Sequence, residues 1–349
     1  MTVVTPPALI LVTGSTGFIG AAIIENLLAK GFSVRAVARS EEKSLRLSAT
    51  FASAVKEKRL TFVVIPDLAH PAAFAEAIEG VEGIIHCAAP SPTNNTGVHP
   101  DVIITPTVGS TIEILEAASK SSTVKRVITT SSYVTLWEPR EGKYMQTEKD
   151  WFDTAPKLVQ EQGVKATGGL IYIAAKVVSE RAAWKWVEEN KPAFDYTAIL
   201  PSRVWGKDIL GNPDSIREGT AHFEILNKIS SGLSGQLNES DYLTAVEITD
   251  VRDIAEGHVR ALTTPEAGGE RIVLKGATVT WQEVFDIINQ AKLDGLAAPV
   301  GNPGSGKGIT PDQHVSAEKA ERILKMVYRP KEVTILDFIT QARDFGWSP

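Results

Sequence analysis

The chain has 349 residues, 43% hydrophobic and 22% charged, with a formal net charge of −6. That length allows one large or two ordinary domains, and the composition is that of a soluble globular protein. The mild charge, with no lysine–arginine stripe, argues against a nucleic-acid partner, and no apolar run approaches the roughly 18 residues of a membrane span.

Taken in chain order, the first apolar run, Ala8-Leu-Ile-Leu-Val12, leads into Thr-Gly-Ser-Thr-Gly-Phe-Ile-Gly20 and then an amphipathic stretch, Ala21–Lys30. This reads as strand, glycine turn and helix. Gly14 permits the tight turn, Gly17 lets backbone approach a pyrophosphate, and Gly20 lets the helix lie close to the strand. The free N–H groups at the helix start favour phosphate oxygens. Further strands are expected at Ser33–Val37, Leu60–Ile65, Gly83–Cys87 and Arg126–Thr130. Helices are expected between them at Ser44–Lys56, Ala72–Glu79 and Ile103–Ser119. Short apolar strands alternating with helices predict a parallel sheet covered on both faces.

A long helix is expected at Ile171–Asn190 and a strand at Tyr196–Leu200. Beyond Ser202 the rhythm changes and the pattern turns irregular. A short strand, Glu270–Leu274, precedes a helix at Trp281–Ala291. The Gly- and Pro-rich Leu293–Thr310 reads as a loop, its Gly301–Lys307 part near the substrate cleft, and helices at Ala317–Lys325 and Val333–Phe345 close the chain. The fold class is therefore α/β: a Rossmann-type doubly wound parallel sheet with a small, discontinuous C-terminal cap. Residues 1–201, plus about 246–263, form the dinucleotide-binding part. Residues 202–245 and 264–349 form the smaller substrate-binding part.

The second strand ends at Arg39. A carboxylate there would bind the two ribose hydroxyls of NAD, whereas a guanidinium pairs with a 2′-phosphate. Lys43, one helical turn on, adds a second positive charge, so NADP(H) is favoured. Asp67, after the third strand, is placed to accept from the adenine amino group. Tyr172 and Lys176 stand four apart in a helical stretch, on one face. A tyrosine of ordinary pKa transfers protons poorly at neutral pH. The ammonium, with oxidised nicotinamide, is expected to lower its pKa. Ser132, beyond the strand ending at Thr130, lies where ligands sit in open parallel sheets and would bond a carbonyl oxygen.

Other signals weigh less. The segment Gly301–Lys307 nearly spells a phosphate-binding loop but has Gly308 where Ser or Thr should follow. The six histidines show no paired ligand spacing, so no metal is expected. Cys87, the only cysteine, excludes an intrachain disulfide, fits a reducing compartment and reads as a buried small residue. No signal peptide is expected, so the cytoplasm is the default location. The sequons at Asn94 and Asn238 then read as chance matches. Trp137 and Trp205 are candidate walls of the substrate pocket, with core packing an equal alternative.

The glycine turn, strand-end serine and Tyr-x-x-x-Lys, in this order, resemble the extended short-chain dehydrogenase/reductase family over nearly the whole chain. Segments such as Ala38-Arg-Ser-x-x-Lys43, His86-x-Ala-x-Pro90, Thr130-Ser-Ser-Tyr133, Asp250-Val-Arg-Asp253 and Pro299-Val-Gly-x-Pro-Gly-Ser-Gly306 are similar to those of fungal NADPH-dependent methylglyoxal and ketone reductases, neighbours of dihydroflavonol reductases. The resemblance implies a catalytic triad of Ser132, Tyr172 and Lys176. It implies cofactor contacts from Gly14, Thr16, Gly17, Phe18, Ile19, Gly20, Arg39, Lys43, Asp67, Leu68, Ala88, Pro201 and Val204, as well as from Tyr172 and Lys176. The implied activity is reduction of a small carbonyl substrate to an alcohol. The alternatives are an epimerase or dehydratase, a hydroxysteroid-type dehydrogenase, or a non-catalytic NADP(H) sensor. Val108-Gly-Ser110 stands where many relatives carry an asparagine that holds a relay water, and no coenzyme A thioester signature is present.

Overall fold

The computed structural model describes residues 3–89, 97–216 and 221–348. Strand β1 (Leu9–Thr13) leads into helix α1 (Phe18–Ala29), then β2 (Ser33–Ala38), α2 (Glu41–Thr50), α3 (Ala52–Lys56) and β3 (Leu60–Val64). The chain then crosses to β4 (Gly83–His86), followed by α4 (Asp101–Lys120) and β5 (Arg126–Thr130). A short β6 (Tyr144–Gln146) and α5 (Ala155–Gln162) precede the long α6 (Gly168–Asn190), β7 (Asp195–Pro201) and β8 (Arg203–Trp205). Next come α7 (Ala221–Leu233), α8 (Glu239–Leu243), β9 (Ala245–Asp250), α9 (Val251–Thr263), β10 (Arg271–Leu274) and β11 (Ala277–Thr280). The C-terminal part holds α10 (Trp281–Ala291), β12 (Gln313–Val315), α11 (Glu318–Leu324) and α12 (Lys331–Asp344).

Seven strands form the main sheet in the order β3-β2-β1-β4-β5-β7-β10, and every pairing is parallel. The chain winds outward from β1 to β3, then restarts on the other side of β1 at β4. That reversal opens a crevice above the carboxyl ends of β1 and β4. One face is sealed by a core joining Ile23, Leu27, Ile254 and Leu262 of α1 and α9 to Ile10, Val12 and Ile85. The other face buries Leu11, Ile84 and Val127 with Ile114 and Leu115 of α4 and Ala183 of α6. The strands are apolar toward both faces because both are covered, which is the pattern the alternation predicted.

A second apolar core lies over the carboxyl end of the sheet. It joins Trp205, Ile225, Ile229, Ile248, Trp281, Phe285 and Phe338. A small sheet of β11, β9 and β8 runs through it. The segment expected to be irregular beyond Ser202 is thus built from α7, α8, β9 and α9. Its elements are short, and their apolar residues face a core assembled from distant parts of the chain. Asn238 caps α8, its side chain accepting from the Asp241 N–H at 3.1 Å. The other sequon, Asn94, lies outside the described residues, as does Pro90.

Two helix expectations change. Ala72–Glu79 forms consecutive turns, because Ala72 adopts φ 61° and interrupts the helical ladder. Its Phe74, Ala77 and Ile78 are still buried in the core. Ser44–Lys56 is divided at Phe51, whose ψ of 38° ends one helix before the next begins. Among the described residues, no helix is long and apolar enough to cross a membrane. Phe285→Ala should empty the centre of the second core. Its expected cost is about 3–5 kcal/mol, read as a lower denaturation midpoint.

Candidate active site

The turn after β1 is shaped by close backbone packing. Gly14 adopts φ 65°, and a Cβ there would sit 2.9 Å from the Ala88 nitrogen. A Cβ on Gly20 would meet the Gly14 carbonyl oxygen at 2.2 Å. Helix α1 therefore starts directly against the strand end. Gly17 is its N-cap, with no side-chain cap and no acidic residue in the first turn. The Phe18, Ile19 and Gly20 N–H groups precede the first intrahelical bond, which runs from Ala21 N to Gly17 O. This is a cradle with the geometry and sign for a pyrophosphate, so the residues fit a dinucleotide.

Arg39, exposed at the end of β2, and Lys43, in the first turn of α2, line a depression continuous with this cradle, together with Thr16, Leu68 and Ala88. Neither cation's side chain has an ion-pair partner among the described residues. Asp67 and Leu68 lie just beyond, with Ala88 and Ser110, around a smaller pocket that Arg39 also lines. Asp67 uses one carboxylate oxygen to hold the Ala69 N–H at 2.9 Å.

The other arm of the crevice is a cavity of about 610 Å³. It brings together Gly14, Gly17, Phe18, Ile19 and Gly20 with Ser132, Tyr172, Lys176, Pro201 and Val204. Ser132 follows β5 and caps a single 3-10 turn, accepting from the Val134 N–H at 3.4 Å. Tyr172 and Lys176 project from the first turns of α6, which Thr167 caps. Lys176 donates to the Thr130 carbonyl at 2.9 Å, anchoring the helix to the end of β5.

The electrostatics depart from expectation in one respect. Desolvation in the cleft pushes the Tyr172 phenol above its ordinary value, and a hydrogen bond from Ser132 only partly offsets this. The Lys176 ammonium is turned to the Thr130 carbonyl and does not depress the phenol as the spacing suggested. Lys176 itself is lowered to about 8, by burial first, while the charges of Cys87 and Glu180 act the other way. Cys87 is raised to about 11, chiefly by burial, so it is an inert wall and not a nucleophile. His86 is held neutral by burial, at about 3.

Two tryptophans fall outside the cleft. Trp205 is fully buried in the second core, 5.7 Å from the Trp281 ring. It lies one residue beyond the lining Val204 and turns the other way. Trp137 packs edge-on against Tyr133 with centroids 5.8 Å apart, behind the lining. The Gly301–Lys307 loop is also not on the cleft. Gln282 and Asp286 of α10 hold its Asn302 and Gly304 N–H groups at 3.0 and 2.8 Å. Cleft residues that sequence reasoning missed include Cys87, Thr130, Tyr133, Val134, Ser202 and Arg203. Each is a chain neighbour of a predicted site residue or stands at the end of a predicted strand, and that adjacency was the available signal.

A doubly wound sheet whose crevice joins a phosphate cradle to a Ser–Tyr–Lys group defines a dinucleotide-binding protein of the extended short-chain dehydrogenase/reductase type. The chain belongs to the NAD dependent epimerase/dehydratase family, whose pattern matches residues 10–275. It is 30% identical over 331 residues to ketoreductase adrE of Penicillium roqueforti, spanning 93% of this chain and 92% of that protein. It is 29% identical over 356 residues to the NADPH-dependent methylglyoxal reductase GRE2 of Saccharomyces cerevisiae, spanning 96% of this chain and 98% of that one. The crystal structure of yeast methylglyoxal/isovaleraldehyde reductase Gre2 complexed with NADPH superposes with a TM-score of 0.83, at 26% identity, over 97% of this chain and 99% of that chain.

Gly20→Ala drives a Cβ into backbone that cannot retreat. The expected result is a loss of about 3 kcal/mol or more, with dinucleotide binding lost as well, measured by chemical denaturation and cofactor titration.

Proposed function

We propose that this protein is an NADPH-dependent reductase of aldehydes or ketones, acting in the cytosol. The observation that carries the reading is the single cavity in which Ser132, Tyr172 and Lys176 face the glycine cradle. The NADPH-linked names of relatives that align over nearly the full chain support it. Phe18, Ile19 and Gly20 N–H groups would hold the pyrophosphate, Arg39 and Lys43 the 2′-phosphate, and Asp67 the adenine. Pro201 and Val204 would wall the nicotinamide.

When bound, NADPH supplies a hydride from nicotinamide C4 to the carbonyl carbon. The C=O π electrons move to oxygen, which takes a proton from Tyr172, so one carbonyl, one hydride and one proton give one alcohol. Ser132 holds that oxygen, and hydrogen bonds that strengthen as negative charge grows accelerate the step. A proton donor must be protonated at working pH, and the raised pKa of Tyr172 keeps it so. Lys176, held by the Thr130 carbonyl, would bond the nicotinamide ribose with its remaining donors.

Tyr172→Phe should lower kcat about 10²–10⁴-fold while leaving NADPH affinity near that of the wild type. NADPH oxidation with a carbonyl panel checks this, and equal rates would remove Tyr172 from the mechanism. Arg39→Ala should weaken NADPH about 10- to 100-fold and NADH hardly at all, measured by titration with each dinucleotide. The pH profile follows from Lys176, which is charged below about 8 and loses its charge above it. Tyr172 remains a proton donor across that range. Carbonyl reduction should therefore fall as pH rises through about 8, and a profile flat to pH 10 would exclude an essential ammonium.

A further inference from the structure

The substrate end of the cavity has a charged wall that the proposed chemistry does not use. Only two charged side chains line the cavity among the described residues, Lys176 and Arg203, and neither is acidic. Lys176 is committed to the Thr130 carbonyl. Arg203 stands on β8, between the lining residues Ser202 and Val204, and its side chain keeps 40% of its surface exposed. The rest of the substrate end is mostly apolar, with Phe18, Ile19, Val134 and Val204.

Arg203 is held in place from behind. Its Nε donates to Glu224 of α7 at 3.2 Å, and its Nη1 donates to the Tyr133 hydroxyl at 3.3 Å. Glu224 is not among the lining residues, so the carboxylate orients the guanidinium without presenting negative charge to the cavity. Nη2 makes no hydrogen bond with the described residues. Burial raises the pKa of Tyr133 despite the neighbouring guanidinium, so its hydroxyl is a neutral donor. It accepts from Arg203, and its own hydrogen has no acceptor among the described residues. Tyr133 directly follows Ser132, so both donors sit beside the group that would hold the reacting oxygen.

A cationic guanidinium and a neutral hydroxyl, both with spare donors in a cavity without acidic lining, form a receptor for a carboxylate. We propose that Arg203 and Tyr133 bind a carboxylate on the substrate, so that the preferred carbonyl compounds are oxo acids. This rests on the reductase reading and sharpens it to a substrate class. The carbonyl oxygen occupies the Ser132–Tyr172 position, and the carboxylate lies against the β8 wall.

The test compares oxo acids of increasing carbonyl-to-carboxylate spacing with their methyl esters, using NADPH oxidation by the full chain. The wild type should favour at least one acid over its ester by tenfold or more in kcat/KM, mainly through KM, and the preference should shrink as salt is raised. Arg203→Met should reduce the acid-to-ester ratio at least tenfold, and Arg203→Lys should recover part of it. Because the ester is measured in the same protein preparation, a partly unfolded variant lowers both rates and leaves the ratio intact. A wild type that reduces esters but not acids, or a ratio unmoved by Arg203→Met, overturns the carboxylate assignment and leaves the reductase reading standing. A wild type that oxidises NADPH with none of the compounds overturns both.

Discussion

The buried carboxylate of Glu180 holds the catalytic side of this protein together. It lies one helical turn beyond Lys176 and is nearly inaccessible to solvent. Arg271 of β10 donates its Nε to it at 2.6 Å, Ser131 its hydroxyl at 2.5 Å and Trp184 its indole N–H at 3.3 Å. Arg271 carries the connection further, donating to the backbone carbonyls of Glu148 and Asp150 at 2.6 and 2.8 Å. Its guanidinium stacks on the Trp151 ring at 3.5 Å, with Arg181 on that ring at 3.8 Å. A buried ion pair adds stability only if its remaining hydrogen bonds are met, and breaking one costs about 3–5 kcal/mol. Here they are met by groups from three places that must agree: the catalytic helix, the residue before Ser132, and the segment that wraps the sheet edge. The network fixes where Ser132 stands relative to Tyr172.

The same carboxylate acts on Lys176. Burial alone favours the neutral amine, and the negative charge of Glu180 opposes that loss. Tyr172 has no neighbouring charge acting this way, and the Ser132 hydrogen bond offsets its burial only in part, so its pKa stays raised. One group is thus held close to its titration range and the other far from it. This asymmetry suits the proton-donor role proposed for Tyr172.

The central sheet was legible because its inner strands β1, β4 and β7 are apolar on both faces, and the long helices α1, α4 and α6 stand between strands. Glycine spacing located the turn because Gly14 and Gly20 leave no room for a side chain. The cap was illegible for the opposite reason. Its core joins β8, α7, β9, α10 and α12, whose residues lie more than a hundred positions apart, and no short window contains the pattern. Within this region Asp250 caps α9, its side chain accepting from the Arg252 N–H at 2.9 Å. Trp205 was left between pocket and core because sequence proximity to a strand end cannot reveal which face a residue takes, and it takes the core. Arg203, two residues earlier, carries the same ambiguity, and its side chain takes the cavity side.

The cleft is biased to positive charge along its length. The N-terminus of α1, Arg39, Lys43, Lys176 and Arg203 all face it, and Asp67 is the single carboxylate on the described lining. Part of this bias is matched by the phosphates of a dinucleotide. Arg203, on β8 between the lining residues Ser202 and Val204, is not among the proposed phosphate contacts. Glu224 and the Tyr133 hydroxyl occupy its Nε and Nη1, and Nη2 makes no hydrogen bond with the described residues. A cavity intended for a neutral, apolar ketone would be better served by a leucine at that position. The cation at position 203 is therefore the feature of the cap that separates an anionic substrate from a neutral one, and the glycine cradle at the opposite end has no influence on that choice.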